Sequence, residues 1–319
     1  MRTVNSISIA IPVFNESAVL STLVDRLTST LSDLDIPIQQ VVIVDDGSTD
    51  DTAGQLRELV ERDPRFEAVL LSRNFGHQAA LSAALDRVTG DVTIVMDSDL
   101  QDDPDLIPAM LEKYRDGYDV VYAVRKTRQE SLWLRMAYMV FYRMLSALSN
   151  TALPVDAGDF GLMSRRVVQA IRASPERQRY LRGLRAWVGF RQCGLEVDRL
   201  ERHAGTSKYS KSKLVKLALD GIFAFSIVPL RLATILGALA VMIALAWAAF
   251  VLYAKLFLDR SPQGFSSVII TIVFLSGANL FFLGVIGEYV GRTYEESKGR
   301  PLYVVDEVVA RSATRTHDA

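Results

Sequence analysis

The sequence predicts an α/β domain with a mostly parallel sheet, followed by two membrane-spanning helices. Three observations support this prediction. Strand-like and helix-like patterns alternate over the first 120 residues, polar residues follow the strand-like runs, and two long uncharged segments lie in the last third of the chain. Alternation of strands and helices is typical of a parallel sheet that carries helices on both faces.

Four short apolar runs, rich in β-branched side chains, predict the strands of the α/β domain. They are Ser6–Ile11, Gln40–Val44, Ala68–Leu71 and Val92–Met96. Segments with helical spacing predict helices at Ala18–Leu34, Thr52–Val60, Gln78–Val88 and Asp105–Arg115. Ligands of such sheets bind beyond the carboxyl ends of the strands, so we expect the functional groups at that edge.

Two uncharged segments, Leu232–Ala254 and Ser261–Gly287, predict membrane-spanning helices. At about 1.5 Å per helical residue, each is longer than a hydrocarbon core of about 30 Å. The stretch Lys255–Arg260 between them predicts a tight hairpin, which leaves both chain ends on one side. Lys and Arg are concentrated outside that hairpin, so the positive-inside rule places both termini in the cytosol. The alternative is two buried core helices of a soluble protein.

The chain is therefore expected to have four parts. They are a cytosolic α/β domain (1–209), an amphipathic interfacial helix (210–228), a two-helix membrane hairpin (229–290) and a cytosolic C-terminal tail (291–319). Lysines interleaved with large apolar residues before the first span predict the interfacial helix, for which the alternative is a plain linker. Glycines in the spans would allow the protein to pack against a second copy of itself.

Charge and composition exclude several classes of protein. The 319 residues carry a net charge of −1, which argues against a protein that mainly coats nucleic acid. The charge is uneven, −13 over residues 1–120 and +12 over residues 121–319, so the two halves meet different partners. One cysteine, Cys193, excludes an intrachain disulfide and a zinc cluster. The glycine motifs of classical dinucleotide folds and P-loop NTPases are missing from the sequence.

The candidate metal-binding motif is Asp97-Ser98-Asp99, directly after a predicted strand. Its two carboxylates can converge on a divalent cation that also binds the oxygens of a diphosphate. The motif lies within MDSDLQDDP, and IPVFNE, VVIVDDGSTD and RNFGHQAAL precede it in that order. Together these four motifs resemble the family 2 glycosyltransferases of the GT-A fold, over roughly residues 6–230.

Within that family the chain resembles the polyprenyl-phosphate glycosyltransferases, the group of dolichol-phosphate mannose synthase and bactoprenol glucosyltransferase. The motifs DAGDFGLMSR and RHAGTSKYS and the two spans carry this resemblance. It implies an inverting hexosyltransferase, a multi-pass protein of the inner (plasma) membrane that moves one sugar from a nucleotide sugar donor to a polyprenyl phosphate at the cytosolic face. UDP-glucose with undecaprenyl phosphate is favoured, and a GDP-mannose-dependent mannosyltransferase is the alternative.

The resemblance also implies roles for individual residues. The positions that match the nucleotide-sugar site are Pro12, Phe14, Asn15, Glu16, Asp46, Ser48 and Asp97, with Asp46 able to accept from a base N–H. The metal, Mg²⁺ or Mn²⁺, is expected on Asp97, Asp99 and Gln101. Asp99 and Asp159 are the expected catalytic residues. Asp159 would orient the acceptor, and the alternative is that it holds a turn at Gly158–Gly161.

The acceptor phosphate needs cationic side chains, because it must approach a negatively charged sugar nucleotide. A phosphate monoester is largely dianionic at neutral pH and already nucleophilic, so a strong general base is not required. Residues 121–231 hold 20 Lys and Arg against 8 Asp and Glu. The candidates are Arg125, Arg128, Arg202 and Lys208, of which the last two lie in the family motif. The alternative is a basic surface attracted to anionic lipid.

Two other functions remain as alternatives. One is a processive polysaccharide synthase, which is disfavoured because Gln-x-x-Arg-Trp is missing and Arg185-Ala186-Trp187 is the nearest match. The other is an inactive, membrane-tethered scaffold that binds nucleotide sugars, against which the intact Asp97, Asp99 and Asp159 argue.

Overall fold

A computed structural model describes residues 2–125, 157–176, 179–197, 228–257 and 264–310. The chain forms two compact units. The first contains the described residues up to 197 and those from 300 onward, and the second contains the helices between 228 and 299.

The first unit begins with alternating strands and helices, as predicted. Its first four strands are β1 (Ser6–Val13), β2 (Ile38–Asp45), β3 (Phe66–Leu71) and β4 (Val92–Val95). The helices are α1 (Leu20–Ser32), α2 (Thr52–Arg62), α3 (His77–Arg87) and α4 (Ile107–Arg115), with a 3-10 turn at Pro104–Leu106. β1 pairs in parallel with both β2 and β4, and β2 pairs in parallel with β3.

The rest of the first unit makes the sheet mixed. Its elements are β5 (Val120–Arg125), β6 (Ala157–Ser164), α5 (Arg165–Ala173), α6 (Leu181–Trp187), β7 (Gln192–Val197) and β8 (Val305–Ala310). Within the described residues, eight strands form one sheet in the order β7-β5-β6-β4-β1-β2-β3-β8. β6 is antiparallel to β4 and β5, and β8 is antiparallel to β3.

Apolar side chains fill both faces of the sheet. Successive residues of a strand point to opposite faces, so Ile9 joins the core beneath one layer of helices and Ala10 joins the core beneath the other. On α1, Leu20, Leu23, Leu27 and Leu31 are buried, which is the spacing of a single helix face. The sheet is therefore packed between two layers of helices, and the loops that follow the strands project from its carboxyl edge.

The second unit contains two long apolar helices, α7 (Val228–Phe257) and α8 (Phe265–Ser297). Their most apolar windows, Ala233–Val251 and Phe274–Ser297, have mean hydropathies of 2.3 and 1.3, and neither window is buried. Both helices are long and apolar enough to cross a membrane. α7 extends beyond its predicted run at both ends, and α8 begins four residues later than predicted but continues past Gly287 into charged residues. The predicted interfacial helix lies outside the described residues, apart from Val228.

The largest difference from the sequence prediction is at the C-terminal end. Residues 291–319 were expected to form a tail, whereas Val305–Ala310 forms β8 at the edge of the sheet. The stretch VDEVVA is short, and its strand identity depends on a partner, β3, that is distant in sequence. Gly158–Gly161 also differs from expectation. It lies within strand β6, so the alternative in which Asp159 holds a turn there is wrong.

Candidate active site

The loops after β1 and β2 are joined at the carboxyl edge of the sheet. The Asn15 N–H donates to Ser48 Oγ over 2.8 Å, and the Thr49 N–H donates to Asn15 Oδ1 over 2.8 Å. Asn15 adopts a positive φ of 55°, a conformation that asparagine tolerates better than most residues. Beside it, Phe14 presents a ring that is 44% exposed, while Pro12 is buried within β1. Glu16 is partly buried and donates its N–H to Thr52 Oγ1 over 3.0 Å.

Asp46 links the β2 loop to the segment that precedes α3. Its two carboxylate oxygens accept from the backbone N–H groups of Phe75 and Gly76, over 2.7 and 2.8 Å. Gly47 allows this close approach, because its φ is +69° and a Cβ there would lie 2.4 Å from the Arg73 carbonyl carbon. Asp46 therefore holds the loop, and its predicted contact with a nucleotide base stays a prediction.

Asp45 is a buried carboxyl that the sequence argument did not single out. It accepts from both the N–H and the hydroxyl of Ser48. Burial raises the pKa of Asp45, although the bonds from Ser48 oppose that shift. Asp45 and Asp46 are thus consecutive residues with different partners, since Asp45 binds Ser48 and Asp46 binds the segment before α3.

The loop after β4 carries the predicted metal-binding residues. The Asp97 N–H donates to Asp102 Oδ2 over 3.0 Å and the Gln101 N–H donates to Asp99 Oδ1 over 3.2 Å, so the loop folds back on itself. Leu100 has a φ of 60° and is buried. A left-handed conformation is costly for leucine, and here it turns the chain so that Gln101 follows into the interior.

The oxygens of this loop fit a cation. Asp97 Oδ1 and Gln101 Oε1 are both buried and have no hydrogen-bond partner among the described residues. Burial raises the pKa of Asp97, with Asp159 and Asp99 adding to the shift and His77 opposing it. Hard divalent cations bind such oxygens. In the part of the chain described, no three His, Cys, Asp or Glu side chains cluster to hold a metal by themselves, so a cation here would also need oxygens from its ligand.

His77 stands between the two predicted catalytic regions, at the start of α3. Its Nε2 lies 3.6 Å from Asp97 Oδ1 and 3.9 Å from Asp159 Oδ2. The helix predicted at Gln78–Val88 is α3, which begins one residue earlier, at His77. His77, Asp97 and Asp159 therefore form one cluster at the carboxyl edge of the sheet.

Asp159 is clamped by an arginine that the sequence argument missed. Arg182 Nε and Nη2 donate to Oδ1 and Oδ2 of Asp159, over 2.7 and 2.8 Å. Burial opposes ionisation of Asp159, but the hydrogen bonds and charge of Arg182 outweigh it and hold the pKa of that carboxyl below its usual value. Asp159 is thus a fixed anion whose two oxygens both face a cation.

Arg185 supports the same strand from one helical turn further along. It is buried, its Nη2 donates to the Gly158 carbonyl over 3.0 Å, and its guanidinium lies 5.0 Å from the centroid of the Tyr122 ring. Burial lowers the pKa of Arg185 to about 10. Gln78 accepts from the Leu181 N–H over 2.9 Å, which ties the start of α6 to the start of α3. The spacing Arg182-x-x-Arg185 is visible in the sequence, but nothing local identifies Asp159 as the partner.

The predicted acceptor residues are not brought into this cluster by the described structure. Arg128, Arg202 and Lys208 lie outside the described residues, as does Asp156. Only the backbone of Arg125, at the end of β5, is described. The predictions for these residues stay predictions.

The sheet and its carboxyl edge define the class of protein. The mixed sheet, with carboxylates after β4 and hydrogen-bonded loops after β1 and β2, agrees with the α/β fold predicted for a GT-A glycosyltransferase. The family model "Glycosyl transferase family 2" matches residues 8–172. The chain belongs to this family, and the prediction from the sequence motifs is confirmed.

Similar proteins span almost the whole chain. It is 43% identical over 303 residues to an uncharacterized glycosyltransferase of Synechocystis, covering 95% of each chain. It is 37% identical to a prophage bactoprenol glucosyl transferase homolog of Escherichia coli, covering 95% of this chain and 99% of the other. Among solved structures, glucosyl-3-phosphoglycerate synthase of Mycobacterium tuberculosis in complex with UDP matches with a TM-score of 0.46 and 20% identity, over 69% of this chain and 78% of that one.

Proposed function

We propose that this glycosyltransferase is a membrane-anchored, inverting enzyme that moves glucose from UDP-glucose to a polyprenyl phosphate, such as undecaprenyl phosphate, at the cytosolic face. Relatives of 37% identity are named bactoprenol glucosyl transferase, which supports both the sugar and the lipid acceptor. The two apolar helices support an association with the membrane. The boundaries proposed at residues 209 and 228 separate the α/β domain, the interfacial helix and the membrane helices.

The clamp on Asp159 carries the argument for a phosphate acceptor. An alcohol acceptor must lose its proton, so it needs a general base whose pKa lies near the working pH. Arg182 instead holds the pKa of the Asp159 carboxyl below its usual value, so Asp159 is a weak base. A phosphate monoester needs no base, because its oxygens are already ionised at neutral pH. Asp159 would then orient the acceptor and its counter-cations rather than remove a proton.

The buried oxygens after β4 support a divalent metal, Mg²⁺ or Mn²⁺. Asp97, Asp99 and Gln101 would hold it, with the diphosphate of the donor supplying further oxygens. Such a cation, when bound, neutralises the charge that develops on the departing diphosphate. The residues of the chain position the donor beside it: Asn15 and Ser48 fix the loops after β1 and β2, and Asp46 fixes the loop before α3. Phe14 offers an exposed ring to the base.

The acceptor phosphate would be met by cations from the second half of the chain. Arg125, Arg128, Arg202 and Lys208 are the proposed set, because residues 121–231 carry the excess of positive charge. Cationic side chains are required here, since donor and acceptor are both anionic. The same charges would favour an anionic membrane surface.

A turnover assay with the purified full-length protein tests the proposed function. We would offer undecaprenyl phosphate with a panel of UDP-glucose, UDP-galactose, UDP-N-acetylglucosamine and GDP-mannose, and read the product by the mass of the lipid. The expected product is undecaprenyl phosphate carrying one hexose, formed only with UDP-glucose and only with a divalent cation present. A product from GDP-mannose alone would make the protein a mannosyltransferase, and a product carrying several sugars would indicate a processive synthase. Absence of any product across the panel contradicts the proposal.

The proposed topology is tested by labelling in cells. A single cysteine at Ser261, in a Cys193→Ser background, is expected to react with a membrane-impermeant thiol reagent added from outside, because the hairpin Lys255–Gln263 is proposed to face outward. A cysteine at Ser312 is the matched control and should react only after permeabilisation. Labelling at Ser312 in intact cells would reverse the orientation and exclude a cytosolic sugar donor.

A further inference from the structure

The C-terminal strand β8 lies next to the loop that builds the donor side of the site. β8 runs antiparallel to β3, so its first residues meet the last residues of β3, at the carboxyl edge of the sheet. The Ser72 N–H donates to the Val304 carbonyl over 3.0 Å. Ser72 opens the loop that continues to Gly76 and then into α3. The start of β8 is therefore bonded to the start of this loop.

Tyr303, the residue before Val304, contacts the other end of the segment that begins at Ser72 and ends in α3. The Tyr303 hydroxyl donates to Asp86 Oδ2 over 2.8 Å, and its ring packs against the apolar core beneath α3. Asp86 lies in the last turn of α3. Burial, together with the bond to Asp86, raises the pKa of Tyr303, so the hydroxyl stays a donor at neutral pH. Two consecutive residues thus hold both ends of the segment 72–86.

That segment carries groups on which the donor site depends. Its Phe75 and Gly76 N–H groups bind Asp46, its Arg73 backbone packs against Gly47, and its His77 lies beside Asp97 and Asp159. A displacement of this segment would reach the loops after β2 and β4 together. β8 is also bound on its outer side, where Arg57 Nη2 donates to Glu307 over 2.7 Å.

We propose that Tyr303 and Val304 are positioning residues that hold the segment 72–86, and with it the donor side of the active site, in place. Residues 298–304 connect α8 to β8, so the part of the chain that follows the second apolar helix completes the donor side. These residues lie outside the region matched by the family model, which ends at residue 172. The inference rests on the proposed function only in taking the donor to be a nucleotide sugar.

The test compares three variants of the full-length protein in detergent: Tyr303→Ala, Tyr303→Phe and the control Val308→Ala. Val308 lies in the same strand, opposite Val69, but away from the loop. We would measure hydrogen exchange of the amides of residues 72–77 and calorimetric binding of UDP with Mg²⁺. In Tyr303→Ala, the exchange rate of these amides should rise at least about tenfold, because local unfolding of the segment then requires less free energy. UDP should bind at least about threefold more weakly. Tyr303→Phe keeps the ring and should show a smaller change in the same direction.

The control decides whether the effect belongs to Tyr303. Val308→Ala should change both measurements less than about twofold, with the melting temperature of all three variants close to wild type. Equal exchange and equal UDP affinity in Tyr303→Ala, Tyr303→Phe and Val308→Ala would overturn the proposal. If the wild-type protein does not bind UDP, the proposed function fails, and the exchange measurement still decides the positioning role.

Discussion

Two buried aspartates, Asp159 and Asp119, are each held by arginine at opposite edges of the same sheet. At the carboxyl edge, Asp159 accepts two hydrogen bonds from Arg182. At the amino edge, Asp119 precedes β5 and accepts from Arg2 over 3.0 Å, from Arg166 Nε over 2.6 Å and from Ser164 Oγ over 3.2 Å. In both cases, burial raises the pKa of the carboxyl and the arginine contacts lower it by more.

The difference lies in what surrounds each pair. Asp119 is fully buried and joins the N-terminal residues to the start of α5, so its partners belong to two separate parts of the fold. Asp159 has His77 and Asp97 beside it, and Asp97 Oδ1 is a buried oxygen with no hydrogen-bond partner in the described chain. A carboxylate whose neighbours are all satisfied stabilises the fold, whereas one beside an unsatisfied acceptor is placed to meet a ligand.

The largest effect is expected at the carboxyl edge, in Asp99→Asn. The substitution keeps the shape and removes one charge from the proposed metal site, so turnover should fall at least about a hundredfold, as expected for several kcal/mol of lost stabilisation. Steady-state assays with saturating Mg²⁺ measure it. The control is Asp116→Asn, an exposed carboxyl after α4, which should stay within about twofold. Near-normal turnover of Asp99→Asn, or full activity of the wild type in excess EDTA, would contradict the metal site.

The clamp itself is tested by Arg182→Gln and Arg182→Lys. Loss of the bidentate contact should free the Asp159 carboxylate and lower kcat by about tenfold or more, with the donor KM within about threefold, because donor contacts are left in place. Lysine restores the charge but not the fork, so Arg182→Lys should recover only part of kcat. A change confined to the donor KM would instead place Arg182 at the diphosphate.

The amino edge should respond in stability and not in catalysis. Asp119→Asn leaves Arg2 and Arg166 without their shared anion, and breaking such a buried arrangement costs about 2 kcal/mol, or about 5 °C in melting temperature. Turnover per folded molecule should stay within about twofold of wild type, since Asp119 lies at the edge opposite the site. Thermal unfolding followed by circular dichroism measures the change in stability, and the lipid assay measures turnover. A large loss of kcat with an unchanged melting temperature would contradict a purely stabilising role for Asp119.

The smallest expected effect is a pH dependence of the stability that Asp119 contributes to the folded protein. Because its pKa in the folded protein is below the ordinary value of 3.8, the stability it contributes is fully present above about pH 4 and is lost as the pH falls through the lower, folded value. The difference in melting temperature between wild type and Asp119→Asn should therefore be constant from pH 7 to about pH 5 and shrink below pH 4. A difference that grows on acidification would contradict the pairing.

The sequence was most informative where structure is local. The strands Gln40–Val44 and Val92–Met96 and the helix Gln78–Val88 were predicted within a few residues of β2, β4 and α3, because apolar periodicity and strand-end polar residues lie within a single short window. Asn15, Asp46, Ser48 and Asp97 follow predicted strands, which placed them at one edge, and the structure brings their loops together there.

The parts that were missed all depend on partners distant in sequence. β8 pairs with β3, which is distant in sequence, and its six residues show no decisive pattern of their own. Arg182 looks like any surface cation of a basic segment until the fold sets it against Asp159. Asp46 was assigned to a ligand from the motif, whereas its hydrogen bonds to Phe75 and Gly76 appear only once the β2 and β3 loops are adjacent.

By itself, the sequence determined the α/β alternation, the two apolar helices, the excess of positive charge after residue 120 and the family, because each is written in spacing or composition along the chain. Only the tertiary structure decided which charges meet. It paired Asp159 with Arg182, Asp119 with Arg2 and Arg166, and Tyr303 with Asp86. It also left Asp97 Oδ1 and Gln101 Oε1 without a hydrogen-bond partner among the described residues. The physical reason is that hydrogen bonds and ion pairs act over a few ångströms in space, a distance that sequence separation does not measure.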